Sequence, residues 1–291
     1  RALSAVTMVQ TYYNNFLGFS GSLTNMTDFM TDLRIKREEH GTTKLPGFTE
    51  AISLQNVSFG YQPGDWILKD ITFSLNRNET LALVGESGSG KTTLMNLLSG
   101  LLKSSQGQIL IDGIDSREVD MESLQQRIGY ITQEAVIFDD TVFNNVTFWA
   151  EKTPKNLERC WTALKKASID DFVQEQPGGE EARLGNNGIN LSGGQKQRIS
   201  IARELYKEVD FLFMDEATSA LDSETERTIQ ENIDQLKGQY TILIIAHRLS
   251  TIKNADRVVV MKQGQIDRIG TYEELMQQSA SFRRMVELQE V

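Results

Sequence analysis

The chain has 291 residues, 39% of them hydrophobic, with four prolines and no low-complexity tract, enough for a sizeable core in one large domain or one domain with an appendage. A formal charge of −10 excludes the broad basic face that binding nucleic acid requires. The single cysteine, Cys160, excludes an intramolecular disulfide and suits a reducing compartment. The longest apolar runs, such as residues 80–84 and 241–246, are far too short to cross a bilayer, and no signal peptide is evident. Because it starts at Arg1 instead of methionine, the chain is expected to be a piece of something longer.

Residues 1–40 stand apart. Leu3, Val6, Val9, Tyr13, Phe16, Leu23, Met26, Met30 and Leu33 recur at helical intervals, predicting one long helical stripe interrupted near Gly18 and Gly21. Such a helix packs either on its own domain or on something outside this chain. Arg34 to Glu39 is a charged stretch, and residues 41–47, with Pro46, read as a polar linker. The expected division is therefore 1–47 as helical extension and linker and 48–291 as the main domain.

From residue 50 the texture changes to short strands. Ile52, Leu54, Val57 and Phe59, then Ile71, Phe73 and Leu75, predict half-buried antiparallel strands with a turn at 62–65. A buried strand at 80–84 runs into a glycine-rich loop, and 108–112 before Gly113 predicts a strand and tight turn. Residues 141–173 carry helical spacing, and strands return at 209–214, 241–246 and 257–261 with helical stretches between them. That alternation predicts an α/β fold with a mainly parallel sheet, an antiparallel β subdomain before it and a helical subdomain, about 134–205, inserted into it.

Gly85-Glu86-Ser87-Gly88-Ser89-Gly90-Lys91-Thr92 matches G-x-x-x-x-G-K-[ST] without a gap, after an apolar strand and before a predicted helical run over 93–102. Glycines let successive N–H groups converge on one anion, and the helix start adds partial positive charge. Lys91 would reach the β- and γ-phosphates of ATP, with the Thr92 hydroxyl on Mg²⁺. Asp215-Glu216 ends the apolar run 209–214, at the carboxyl end of a predicted parallel strand. Asp215 suits the Mg²⁺ shell, and Glu216 either accepts a proton from the attacking water or caps the following helix.

Leu191-Ser192-Gly193-Gly194-Gln195 precedes a second helical pattern. Ser192 and Gln195 form an S-x-x-Q capping box. Capping alone leaves Gly193 and Gly194 unexplained, since each costs roughly 1 kcal/mol against alanine in a first turn. They offer unobstructed N–H groups to an anion, so the chain has two phosphate-shaped helix starts and one lysine-bearing loop. One ATP held between two chains resolves the mismatch.

LSGGQ is the signature of the ABC ATPases, and the order of phosphate loop, glutamine, LSGGQ, Asp-Glu and His over about residues 50–285 resembles that family. The resemblance implies a P-loop ATPase that dimerises head to tail around two ATP molecules and couples to a transmembrane domain. It implies that Gln133, ending the strand-like 128–133, senses the metal; that Asp222, in Ser219-Ala220-Leu221-Asp222, crosses the dimer interface; that Tyr61 stacks on adenine; and that His247 contacts the γ-phosphate. Taken alone, Gln133 is a polar strand end, Asp222 a helix cap, Tyr61 a strand or rim residue and His247 a surface histidine.

The sequence departs from the family before the signature. Exporter-type members carry T-E-V-G-E-x-G, whereas Ala182-Arg183-Leu184-Gly185-Asn186-Asn187-Gly188 places Arg183 and Asn186 at the two acidic positions. The implied whole is an exporter or flippase at the cytoplasmic face of the cell membrane, with residues 1–40 as the end of its last membrane helix. A soluble ABC ATPase of DNA repair or translation is the alternative, disfavoured by the acidic charge and the lack of a long coiled coil or second cassette. A regulator that has lost catalysis would lack Lys91, Glu216 or His247, and all three are present.

Overall fold

A computed structural model describes residues 2–35, 41–62, 64–215, 223–246 and 248–288. The chain divides into two compact units, residues 1–40 and 41–291. The first contains helix α1 (Ala2–Ile35), which runs without a break through Gly18 and Gly21. The predicted interruption does not form. A glycine weakens a helix by about 1 kcal/mol without ending it, and the hydroxyls of Thr24 and Thr27 donate to the carbonyls of Ser20 and Leu23 just beyond. Its apolar side chains are exposed, those of the stripe and others such as Met8, Tyr12 and Phe19 alike. Among the described residues, no helix is long and apolar enough to cross a membrane.

In the second unit the described elements are, in chain order, β1 (Ala51–Phe59), β2 (Leu68–Asn76), β3 (Thr80–Gly85), α2 (Lys91–Leu98), β4 (Gln106–Ile111), β5 (Ile114–Asp115), α3 (Met121–Gln125), β6 (Ile128–Ile131), α4 (Val142–Thr147), α5 (Pro154–Lys166), α6 (Asp170–Glu175), α7 (Gly193–Tyr206), β7 (Phe211–Asp215), α8 (Ser223–Leu236), β8 (Thr241–Ile245), α9 (Leu249–Asn254), β9 (Arg257–Lys262), β10 (Gln265–Gly270), α10 (Tyr272–Gln278) and α11 (Ala280–Glu287). The antiparallel sheet has the order β2-β1-β4-β5, and the larger sheet has the order β10-β9-β3-β8-β7-β6. In the larger sheet β9, β3, β8, β7 and β6 are parallel, and only β10 runs antiparallel, against β9.

Alternation along the buried strands places one face in each of two cores. Phe211 and Phe213 of β7 face a core shared with the antiparallel sheet and α2, while Leu212 and Met214 face the helical layer of α4, α5 and α7. On β3, Leu81 and Leu83 join the first core, and Ala82 and Val84 pack with Ile252, Leu275 and Phe282 of α9, α10 and α11. Residues 41–47, predicted as linker, lie with this unit. Leu45 is buried there, and Thr43 pairs with Val119. Helix α2 is shorter than the predicted 93–102, because Gly100 at φ 72° turns the chain after Ser99.

Candidate functional site

Four neighbouring parallel strands end in step. Leu83 of β3 lies opposite Ile245 of β8, Ile245 opposite Asp215 of β7, and Met214 of β7 opposite Ile131 of β6. The carboxyl ends of these strands therefore share one edge, the place where open α/β sheets bind ligands. The glycine loop follows β3, position 247 comes two residues after Ile245, Asp215 closes β7, and Gln133 sits two residues past β6. Glu216, Asp222 and His247 lie outside the described residues.

The loop itself is shaped by backbone sterics. Gly88 and Gly90 hold φ at 78° and 99°, in the left-handed region that only glycine enters readily, and a Cβ on Gly90 would lie 2.6 Å from Leu68 Cδ2. Gly90 is the N-cap of α2 and supplies no side-chain cap, so the first-turn N–H groups are not claimed by one. Lys91 Nζ donates to the carbonyls of Gly85 and Glu86 at 2.9 and 3.1 Å, curling over the loop. Glu86, Ser87 and Gly88 are exposed, as is Thr92, whereas Ser89 and Thr93 are buried. The buried Ser89 hydroxyl has no hydrogen-bond partner. A helix start without a side-chain cap, an ammonium and a buried hydroxyl without a partner fit a phosphate chain.

Thr92 and Asp215 supply hard oxygen donors of the kind Mg²⁺ accepts. No cluster of three or more His, Cys, Asp or Glu among the described residues could hold a metal by itself.

Tyr61 follows β1, is exposed, and meets the Phe59 ring edge-on at 5.0 Å. Its loop returns to the glycine loop through a short chain of bonds. Ile67 N donates to Phe59 O, Lys69 N to Gly264 O and Gly264 N to Ser89 O. An aromatic face and a phosphate cradle are thus held by one backbone network.

Two residues that the sequence did not single out brace the edge. Tyr130 Oη of β6 donates to Asn96 Oδ1 of α2 at 3.0 Å. Burial, and then the charge of Asp215, push the tyrosine up to about 12, so it stays a neutral donor. The partners lie 34 positions apart, and neither belongs to a motif.

The signature segment sits in the helical layer. Ser192 caps α7, with Gln195 N donating to Ser192 Oγ at 3.3 Å and Ser192 N to Gln195 Oε1 at 2.8 Å, so the capping box is real. Gly193 is exposed beside it and Gly194 is buried. Helix α7 packs on α4 and α5, whereas α2 packs on β3 and β8. The two glycine-bearing helix starts therefore belong to different layers. Gln197 Nε2 reaches Thr132 O, next to Gln133, at 3.4 Å.

The divergent segment before the signature is pinned as well. Arg183 bridges to Thr141, and Leu184 N donates to Asp140 O at 3.0 Å. The Asp140 carboxylate is held below its ordinary range by the Trp149 indole N–H first, then by Thr141 N and Asn144, with the Arg183 charge adding to them. Phe138, Phe148 and Trp149 pack edge to face, and the Arg203 guanidinium lies over the Phe138 and Phe148 rings, a cluster that no spacing in the sequence announced.

Residues 68–219, just over half of the chain, match the family model for the ABC transporter. Over 251 residues the chain is 43% identical to an ATP-dependent lipid A-core flippase of Psychrobacter arcticus, covering 85% of this chain and 42% of that protein. Over 269 residues it is 39% identical to a Bacillus subtilis protein named for multidrug export, an ATP-binding/permease protein, covering 92% of this chain and 46% of the relative. Among solved structures, a bacterial Atm1-family ABC exporter with ATP bound superposes with a TM-score of 0.84 at 32% identity, over 94% of this chain and 48% of that one. The chain thus spans less than half the length of these relatives. Its fold, its phosphate loop and its match to the family model place it in one family: this chain belongs to the ABC transporters and carries their ATP-binding domain.

Proposed function

We propose that this chain is the ATP-hydrolysing motor of an exporter or flippase, and that two copies of residues 41–291 close head to tail around two ATP molecules. The observation that carries this is the separation of two anion-shaped helix starts, at Gly90 on the sheet edge and at Ser192 in the helical layer. One chain supplies the loop with Lys91; the other supplies Ser192, Gly193, Gly194 and Gln195, and Asp222 is assigned to the segment that crosses between the two chains.

Tyr61 stacks on adenine, and residues 85–93 hold the phosphates. Thr92, Asp215 and Gln133 would hold Mg²⁺, which would supply positive charge against the phosphates. Glu216 takes the proton of the attacking water, and His247 donates to the γ-phosphate from a neutral imidazole. Helix α1, apolar and exposed along its length, suits the cytoplasmic end of a membrane helix, which would put the motor at the cytoplasmic face of the inner membrane with a transmembrane domain as partner. Similarity to proteins named for lipid A-core flipping and multidrug export supports an amphiphilic cargo. Light scattering on Glu216→Gln tests the sandwich. ATP should convert monomer to dimer at concentrations where ADP does not, and a monomer at saturating ATP and micromolar protein would count against it.

A further inference from the structure

Every covalent path from residues 1–40 to the ATPase unit runs through residues 41–51, and that segment is fastened at each step. Gly41 passes so close to Glu118 that a Cβ would overlap its carbonyl carbon. Thr43 N donates to Glu118 O at 3.0 Å, Asp120 N to Thr43 O at 2.8 Å and Leu45 N to Ser123 Oγ at 3.2 Å. Leu45 and Phe48 are buried, and the Phe48 ring lies 4.2 Å from that of Phe211. Beyond them, Thr49 N, Glu50 N and Ala51 N all donate to the Asp112 carboxylate.

At the centre stands Arg127. Its Nη2 donates to Leu45 O and Pro46 O at 3.4 and 3.1 Å, while Nη1 pairs with Asp210 Oδ2 at 2.7 Å. Its backbone carbonyl accepts from Asp210 N and Phe211 N. Arg127 precedes β6 and Asp210 precedes β7, the adjacent strands that pair from Ile128–Phe211 to Ile131–Met214. At the far ends of the same two strands, Asp215 closes β7 and Gln133 follows β6 by two residues. A guanidinium fork suits this seat because it serves a carboxylate and two carbonyls from one plane, which an ammonium cannot reproduce.

We propose that residues 41–51 are a strap across the roots of β6 and β7, and that Arg127 is a positioning residue that couples this strap to the placement of Gln133 and Asp215. Displacing the strap shifts the strands, and with them the metal and water side of the site, while leaving the phosphate loop on β3 in place. The inference rests on the ATPase reading for its kinetic readout.

The test is steady-state ATPase kinetics and amide hydrogen exchange on the full chain, for wild type, Arg127→Ala, Arg127→Lys and Phe48→Leu. Expected for Arg127→Ala are exchange about tenfold faster across residues 41–51 and kcat reduced about threefold or more, with KM for ATP within about twofold of wild type. Arg127→Lys should fall between, and Phe48→Leu, which loosens the strap without touching the ion pair, should move exchange and kcat together. A loosened strap with unchanged kcat in any variant overturns the coupling. Unchanged exchange in both Arg127 variants overturns the clamp. If Arg127→Ala does not fold, the lysine and Phe48 variants decide alone. A wild-type chain without turnover overturns the ATPase reading, and this inference with it.

Discussion

Tyr130 and Asn96 join the strand leading to Gln133 to the helix behind the phosphate loop, through one hydrogen bond of 3.0 Å. The bond ties the strand that leads to Gln133 to the helix that follows the glycine loop, so the spacing between these two parts of the sheet edge is set partly by a pair outside any motif.

Tyr130→Phe should therefore destabilise the chain by about 1 kcal/mol, since it removes the donor and leaves the amide oxygen of Asn96 unpaired. The pH dependence has a definite sign. Folding raises this tyrosine from 10.0 to about 12, so its contribution is complete below about pH 10 and is lost as pH rises toward about 12. Urea unfolding across that interval should show wild type losing stability more steeply than Tyr130→Phe. Parallel curves would contradict the assignment.

Tyr61→Ala should weaken ATP binding by about 1–3 kcal/mol, by analogy with base–aromatic stacking elsewhere. Tyr61→Phe keeps the π-face and should bind nearly as wild type. Stacking tolerates base identity, so GTP affinity should fall alongside ATP. Titration calorimetry with both nucleotides checks this, and unchanged affinity in the alanine variant would return Tyr61 to a packing partner of Phe59.

Glu216→Gln should lower kcat by about 10²-fold or more while ATP affinity holds, because it deletes a base and preserves shape. Single-turnover phosphate release separates the two effects. Near-normal release would exclude Glu216 as the base.

The phosphate loop was readable because backbone sterics dictate its spacing. Gly88 and Gly90 stand where φ is positive, and no other residue type serves as well. Strands β3, β7, β8 and β9 were readable as apolar runs because both faces of the parallel sheet are covered. Edge strand β10 was not. A register irregularity between Ile266 and Arg268 breaks its alternation, so Ile266 and Ile269 lie three positions apart in a strand that is otherwise polar. Helix α10 had a local signal, the Thr271-x-x-Glu274 capping box, without a long apolar stripe behind it. The strap looked like linker because Gly, Thr and Pro dominate it, and its anchors Arg127 and Asp112 lie 82 and 63 positions from the groups they hold. Contacts at such separations leave no periodic trace in a single sequence.

The central claim is that each site is shared between two chains, and mixing two inactive variants tests it most directly. Lys91→Ala disables the phosphate loop, and Ser192→Arg blocks the signature face by bulk and by loss of the cap. Each variant alone forms dimers in which both composite sites are defective. In a mixed dimer the intact loop of the Ser192→Arg chain faces the intact signature of the Lys91→Ala chain, leaving one good site. Phosphate release should reappear on mixing, peak near equal proportions, and rise faster than linearly with protein concentration. ATP-dependent pairing on a Glu216→Gln background shows independently that both variants fold and associate. If they pair in that assay and no mixing ratio restores phosphate release, the shared-site account is contradicted.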